Sequence, residues 1–354
     1  MCDLGGDAPA IAPPVAVSEA LVQTEGESDE LHESLIRHRL AAEYRLAERN
    51  LVLIRDVDAA VAGFAAQITG PLVLFPPSMT LASPGGLHEN RQVIEVARGF
   101  GRDGVITLES ASDLPHDGLA IIASPGDPLG NVLTANEAVR LARSCAWLVI
   151  DERYADYAGQ SLLNVASEFS NVVVLRSFQS RLGATDATPG WATGSSRARD
   201  LLAGISSGLP LGVGLAVLAA SSDKAASRML LSLVRDERSR LYRALRKLSY
   251  LRPLPSWGPF VAARVEVGDR ATLVALLCAR GIRVHAPQEP GLERYVRIGI
   301  GTRSAMEYLR RTLLDIAPEM LGDQLAGGSC DAYRLTLRGK ELRQTEFGQV
   351  EHRG

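Results

Sequence analysis

The chain has 354 residues, 46% of them hydrophobic, which is enough for a large core in two or more domains. With 22% charged residues, a net charge of −3 and 5% aromatics, it lacks the basic surplus and the stacking residues of a nucleic-acid or anionic-membrane binder. The four cysteines, Cys2, Cys145, Cys278 and Cys330, lie far apart and form no metal-type pair, which suits a reducing cytoplasm.

Residues 1–30 are acidic, with Pro and Gly, and lack the basic and apolar stretches of a signal peptide. They are expected as a mobile tail. No run reaches the roughly 18 apolar residues of a membrane helix, so a cytoplasmic protein is expected. Residues 31–48 predict an N-terminal helix. From Asn50 onward, short apolar runs alternate with helical stretches, at 51–54, 72–75, 105–108, 119–123, 147–150, 172–175 and 191–193. Runs this short, without strong polar alternation, fit strands buried on both faces of a mostly parallel sheet.

The best-defined unit spans 119–151. Thr134 and Glu137 form a capping box. Ala138, Leu141, Ala142 and Cys145 then mark one apolar helix face. Strand, helix and strand make a βαβ crossover, and ligands in such sheets sit beyond the carboxyl ends of the strands. The turn 124–130 and Asp151 are therefore placed at the site. The pattern predicts an α/β fold. A large domain covers 49–222, and a long connecting helix lies within 223–257. A small α+β domain covers 258–318, with strands near 260–267, 283–285 and 295–300 and helices near 270–280 and 304–316. A peripheral tail fills 319–354.

Two glycine patterns are set aside. Gly99, Gly101 and Gly104 spell G-x-G-x-x-G, but the spacing puts them after a helix over 91–98 and before a strand, whereas a dinucleotide fingerprint follows a strand and opens a helix. Gly204, Ser206 and Gly208 spell G-x-S-x-G, but they follow a helix and lack the strand-to-helix turn of a nucleophile elbow.

Four segments, in order, carry a resemblance. They are Ser124-Pro-Gly-Asp-Pro-Leu-Gly130, Val149-Ile-Asp-Glu-Arg-Tyr154, Val174-Leu-Arg-Ser-Phe-Gln-Ser-Arg-Leu-Gly183 with Gly190-Trp-Ala192, and Gly281-Ile-Arg-Val284 with Tyr295-Val-Arg-Ile-Gly-Ile-Gly-Thr302. They resemble the N-P-N-N-P-T-G, V-D-E-A-Y, L-R-T-F-S-K-x-x-G/R-x-G-Y and G-I-x-V/F-L-R-I-S-V-G-T motifs of the class I/II aminotransferases, in the histidinol-phosphate aminotransferase branch. The resemblance covers residues 31–318. It implies the fold-type-I architecture of pyridoxal phosphate (PLP) enzymes, a homodimer with its site at the subunit boundary, and PLP-dependent transamination as the ancestral reaction.

The resemblance also assigns roles. The lysine that would form the Schiff base aligns with Ser180, and a hydroxyl cannot form an imine. The chain has three lysines, Lys224, Lys247 and Lys340, so none precedes residue 224. Lys224 itself is expected as a solvated surface lysine. Asp151 matches the partner of the pyridine nitrogen, and Tyr154 matches a contact to the ring's phenolic oxygen. Asp127 replaces an asparagine that donates to that oxygen, and a carboxylate cannot donate. Thr188 replaces the arginine that grips the phosphate. Asp56-Val57 replaces the Gly-Ser at the helix start that cradles it. No aromatic near 76–82 stacks on the ring. Arg55, Ser177 and Arg181 are candidate substitutes, and Gly183 and Gly190 are assigned to backbone geometry. Arg297 matches the planar fork for a substrate α-carboxylate.

Three functions follow as expectations. The first is a catalytically degenerate homologue with a binding or regulatory role, paired with itself or with an active relative, in which any PLP is not covalently held. The second is an active PLP or pyridoxamine phosphate enzyme without a Schiff-base lysine. The third is a PLP-independent binder of a small carboxylate or phosphate.

Overall fold

The structure is a computed structural model that describes residues 2–6, 8–22, 30–78, 91–100, 104–108, 114–183, 188–205 and 208–322. The first part of the chain forms β1 (Cys2–Leu4), α1 (Val15–Leu21), α2 (Glu30–Tyr44), β2 (Leu51–Ile54), α3 (Val57–Gln67), β3 (Leu72–Leu74) and β4 (Val93–Glu95). Then come β5 (Gly99–Phe100), β6 (Ile106–Thr107), β7 (Leu119–Ala123), α4 (Ala135–Ser144), β8 (Trp147–Asp151), α5 (Ala155–Ala158), α6 (Leu163–Glu168) and β9 (Val172–Ser177). Next are α7 (Gln179–Leu182), β10 (Gly190–Gly194), α8 (Ser196–Ala203), α9 (Leu211–Ser222) and the long α10 (Lys224–Leu245). The last elements are β11 (Leu251–Pro253), β12 (Phe260–Val265), α11 (Arg270–Ala279), β13 (Ile282–Val284), β14 (Tyr295–Gly299), α12 (Arg303–Asp315) and α13 (Ala317–Leu321).

Seven strands build the central sheet in the order β2-β10-β9-β8-β7-β3-β4. Only β10 runs antiparallel to its neighbours. The sheet is buried on both faces because its strands are apolar on both. One face packs Phe64 of α3 and Leu202 of α8 against Ile121, Val149 and Val173. The other packs α2, α4 and α9 against Ala120, Ile150 and Val174. The crossover from β7 through α4 to β8 forms as its sequence predicts. Thr134 Oγ1 caps Glu137 N at 3.2 Å, and Ala138, Leu141, Ala142 and Cys145 are all buried. The register pairs Ala123 with Asp151, Asp151 with Leu175 and Ser177 with Gly190, so the carboxyl ends of β7, β8 and β9 form one edge. Gly190 has to be glycine here, since a Cβ would lie 2.0 Å from the Arg176 carbonyl oxygen. Gly183 closes α7 at a φ of 76°, where a side chain is strained.

Several elements differ from the sequence-based expectation. The 1–30 segment holds β1, which pairs in parallel with β13, and α1, which packs its Val17 into the core. Its polarity is high because only single apolar residues, such as Leu4 and Val17, face inward. Helix α2 stops at Tyr44 rather than 48, where Arg45 turns to a φ of 56°. The helix expected over 91–98 is instead edge strand β4, whose hydrogen bonding to β3 overrides its helical spacing. The 105–108 run supplies β6, which pairs with β5 and bonds to Val132 rather than joining the central sheet. Gly99 is thus a strand residue, while Gly101 lies outside the described residues. Gly204 ends α8, as its dismissal as a nucleophile elbow requires, and Ser206 is outside the described residues. Residues 323–354 are outside them too.

A second core joins α10 and α12 to the three-stranded sheet β11-β12-β14. Within it, α10 carries a fully buried carboxylate, Glu237. It faces Arg310 of α12 at 2.8 Å, with Arg240 at 3.0 Å and Arg303 at 3.7 Å. Arg303 and Arg240 are well exposed, so most of the attraction lies in the Glu237–Arg310 contact. Removing the carboxylate leaves Arg310 without its charge partner. Glu237→Ala should therefore cost about 2 kcal/mol and lower the thermal midpoint by several degrees. An unchanged midpoint would mean that the cluster ties nothing together.

Candidate functional site

The carboxyl edge of the sheet gathers the residues singled out from the sequence, and acids and arginines pair off along it. Asp151 ends β8 and is fully buried. Its carboxylate accepts from Arg153 twice, from the backbone N at 3.0 Å and from Nε at 2.8 Å. The same guanidinium bridges to Asp58 in the first turn of α3, at 2.5 Å. Burial opposes the charge on Arg153, but Asp151 and Asp58 outweigh it and hold the guanidinium firmly protonated.

The start of α3 is likewise taken. Asp56 is its N-cap, and Oδ1 accepts from Ala59 N at 2.8 Å. The other oxygen, Oδ2, accepts from Thr188 N at 2.8 Å. An exposed helix N-terminus favours an anion through its free N–H groups and its dipole. Here the anion is the chain's own carboxylate.

Asp127, in the turn after β7, forms the next pair. Arg297 of β14 pairs with it, Nη2 donating to Oδ2 at 2.8 Å and Nε in ion-pair contact with Oδ1 at 2.7 Å. Tyr154 donates to the same carboxylate at 3.0 Å. Arg297 also donates to the Gly6 carbonyl at 2.9 Å and lies 4.0 Å above the Phe260 ring. A desolvated, hydrogen-bonded guanidinium–carboxylate pair with a second donor on the carboxylate is among the stronger polar arrangements in proteins.

Ser180 belongs to a third cluster. Its hydroxyl donates to Asp156, which also receives Arg176 and, at 3.2 Å, the Tyr44 hydroxyl. Arg176 continues to Glu152 at 3.2 Å, and Glu152 accepts from Ser161 Oγ and Leu162 N, each at 2.5 Å. Burial alone would raise the Asp156 pKa, but Arg176, Arg181 and the bonds from Ser180 and Tyr44 bring it below the ordinary aspartate value. Burial wins at Glu152, whose pKa is raised.

The structure thus brings Asp151, Tyr154, Asp127 and Arg297 to one edge. Ser177 joins them through its hydroxyl, which donates to the Arg153 carbonyl at 3.0 Å. Arg181 does not join. It turns to Glu43 at 2.6 Å, Tyr44 at 3.2 Å and Ser221 at 3.2 Å, so it is not aimed at the partners of Asp151. Its position beside the lysine site made it a candidate, but the short α7 points successive side chains to different sides. Residues 79–82 of the ring-stacking segment lie outside the described residues. Arg153 and Asp156 were not singled out from the sequence. The signal for Arg153 was legible, because it stands where the V-D-E-A-Y motif has alanine.

The groups do not fit PLP as the resemblance lays it out. The phosphate would meet Asp56, the ring nitrogen would meet an aspartate already paired with Arg153, and the phenolic oxygen would face Asp127. No cluster of three metal-ligating side chains occurs among the described residues, and no described helix is long and apolar enough to cross a membrane.

Fold and edge together define a fold-type-I, PLP-transferase-like architecture. The family model for aminotransferase class I and II matches residues 107–313, more than half of the chain, and the chain belongs to that family. A histidinol-phosphate aminotransferase of Thermococcus gammatolerans is 28% identical over 82% of each chain. The structure of a histidinol-phosphate aminotransferase from Sinorhizobium meliloti in complex with PLP has a TM-score of 0.77 at 21% identity, covering 90% of this chain and 91% of that one. An L-threonine-O-3-phosphate decarboxylase from Porphyromonas gingivalis has a TM-score of 0.72 at 16% identity, covering 89% of this chain and 99% of that one, so the fold alone does not name a reaction.

The Asp156 cluster gives a pH-dependent stability. At neutral pH the lowered pKa of Asp156 contributes in full. As pH falls through the ordinary aspartate value of about 3.9, the unfolded chain takes its proton first, and the contribution is lost through the folded value. Glu152 has the opposite sign, and in the variant its shift loses only its smallest cause, the charge of Asp156. The midpoint difference between wild type and Asp156→Asn should therefore be widest at pH 7 and shrink as the pH drops below about 4. A difference constant across that range would show that Asp156 is not held as a carboxylate.

Proposed function

We propose that this chain is a catalytically degenerate member of its family, a histidinol-phosphate aminotransferase-like protein whose ancestral reaction is PLP-dependent transamination and whose present role is binding or regulation. One observation carries the proposal. Each charged position that would receive the cofactor or a substrate carboxylate is already neutralised by the chain's own side chains. Arg153 sits on Asp151, Asp56 caps α3 and takes Thr188 N, and Asp127 fills the fork of Arg297.

Position 180 supports the same reading. A serine there cannot supply the imine or move the proton that the lysine moves. Its hydroxyl is tied into a buried cluster that stabilises the large domain. A homodimer, or a pair with an active relative, in the cytoplasm is the setting we propose.

The test combines labelling and kinetics. Wild-type protein incubated with PLP and reduced with borohydride should show no pyridoxyl adduct on peptides from 170–195. Ser180→Lys alone should stay far below ordinary turnover, of order 1–10³ per second, with histidinol phosphate and a keto-acid acceptor, because the three internal pairs persist. Wild-type turnover in that range, or an adduct at 180, would overturn the proposal.

A further inference from the structure

Behind the helix that carries Ser180 lies a cavity of about 260 Å³, where α2, α7, the end of α9 and the start of α10 meet. It shares no lining residue with the pairs at Asp151, Asp127 or Asp56. Its inner wall presents the hydroxyls of Tyr44, Ser180 and Ser221, together with the guanidinium of Arg181. Lys224 and Arg228, one helical turn apart on α10, stand exposed at its rim.

The charges in this cavity do not cancel. Asp156 in its wall shares Arg176 with Glu152, and Glu43 is paired with Arg181. Lys224 and Arg228 are in no ion pair with a described residue, so two cations face the opening without a counter-charge. Arg181 uses three of its five N–H groups on Glu43, Tyr44 and Ser221, leaving donors to spare. Burial opposes its charge, yet the acids around it hold its pKa above the ordinary arginine value, so it stays cationic.

We propose that this cavity binds a small phosphomonoester. A phosphate dianion matches the two cations at the rim, with the spare N–H groups of Arg181 as directional donors, whereas a carboxylate would satisfy only one of those cations. Lysine serves phosphate as a point charge and arginine as a directional donor. The hydroxyls of Ser180 and Tyr44 already donate to Asp156 and that of Ser221 to the Val217 carbonyl, so the remaining phosphate oxygens are left to the spare N–H groups of Arg181. The volume holds a phosphoryl group with a body of only a few carbon atoms, which excludes nucleotides. In this site Ser180 acts as a lining hydroxyl, a use unrelated to the lysine it replaces. The proposal does not depend on whether the chain has lost transamination.

Calorimetric titration of the full chain with glycerol phosphate, with glycerol as the control, tests it. Saturable binding of the phosphate ester is expected, weakened at least about tenfold in Lys224→Glu/Arg228→Glu, a change of about 1.4 kcal/mol. Both rim residues are exposed, so that variant should fold, which circular dichroism checks. Amine acylation read by mass spectrometry gives a second measure in wild type. The ester should slow modification of Lys224 and leave Lys247 unchanged. Absence of saturable binding, equal binding by the double variant, or equal protection of both lysines would each overturn the proposal.

Discussion

A carboxylate removed from water needs a cation or several donors close by, and the carboxyl edge of this sheet concentrates that demand. Asp151, Glu152, Asp156 and Asp127 are all brought there by the βαβ topology, and burial acts against every one of them as an anion. The chain answers with Arg153, Arg176 and Arg297, each held within salt-bridge distance of its acid. Once those pairs form, little charge is left on the edge to recruit a ligand. The cost of leaving one of these acids bare would far exceed the value of a surface ion pair. The arginines are therefore as much a part of the fold as the apolar core.

The same pairs underlie the reading proposed for this chain, that the family fold is kept without the family's usual constellation. A PLP site places a ring cation, a phosphate and a substrate carboxylate against protein groups of opposite charge. On the roles that the resemblance assigns, a guanidinium meets the ring-nitrogen acid, a carboxylate meets the phosphate cradle, and another carboxylate meets the substrate arginine. The electrostatics of the edge are satisfied internally. Selection on folding alone can keep such an arrangement, because breaking any pair leaves a buried charge exposed to a low-dielectric interior.

Much of the fold was legible because it rests on local rules. Apolar runs gave most of the central strands, and Thr134 with its apolar stripe gave the crossover that sets the edge. Asp151, Tyr154 and Arg297 were legible by motif and register. What was not legible depended on partners distant in sequence. Strand β4 is decided by its neighbour β3, and β1 by β13, neither of which its own residues announce. Asp127 could be read as a missing donor, but that Arg297 would clasp it required knowing that β14 reaches the turn after β7. The direction of Arg181 was not legible because a four-residue helix has no periodicity from which to read a face.

The central claim is that the chain's own groups occupy the cofactor's anchor points, and it is tested most directly by emptying two of them. PLP binding can be followed by absorbance in wild type and in Asp56→Gly/Arg153→Ala, which frees the start of α3 and the carboxylate of Asp151. Wild type should show no saturable binding up to about millimolar PLP, an affinity weaker than about −4 kcal/mol, while the double variant should bind at least about tenfold more tightly. Micromolar binding by wild type, unchanged in the double variant, would contradict the account.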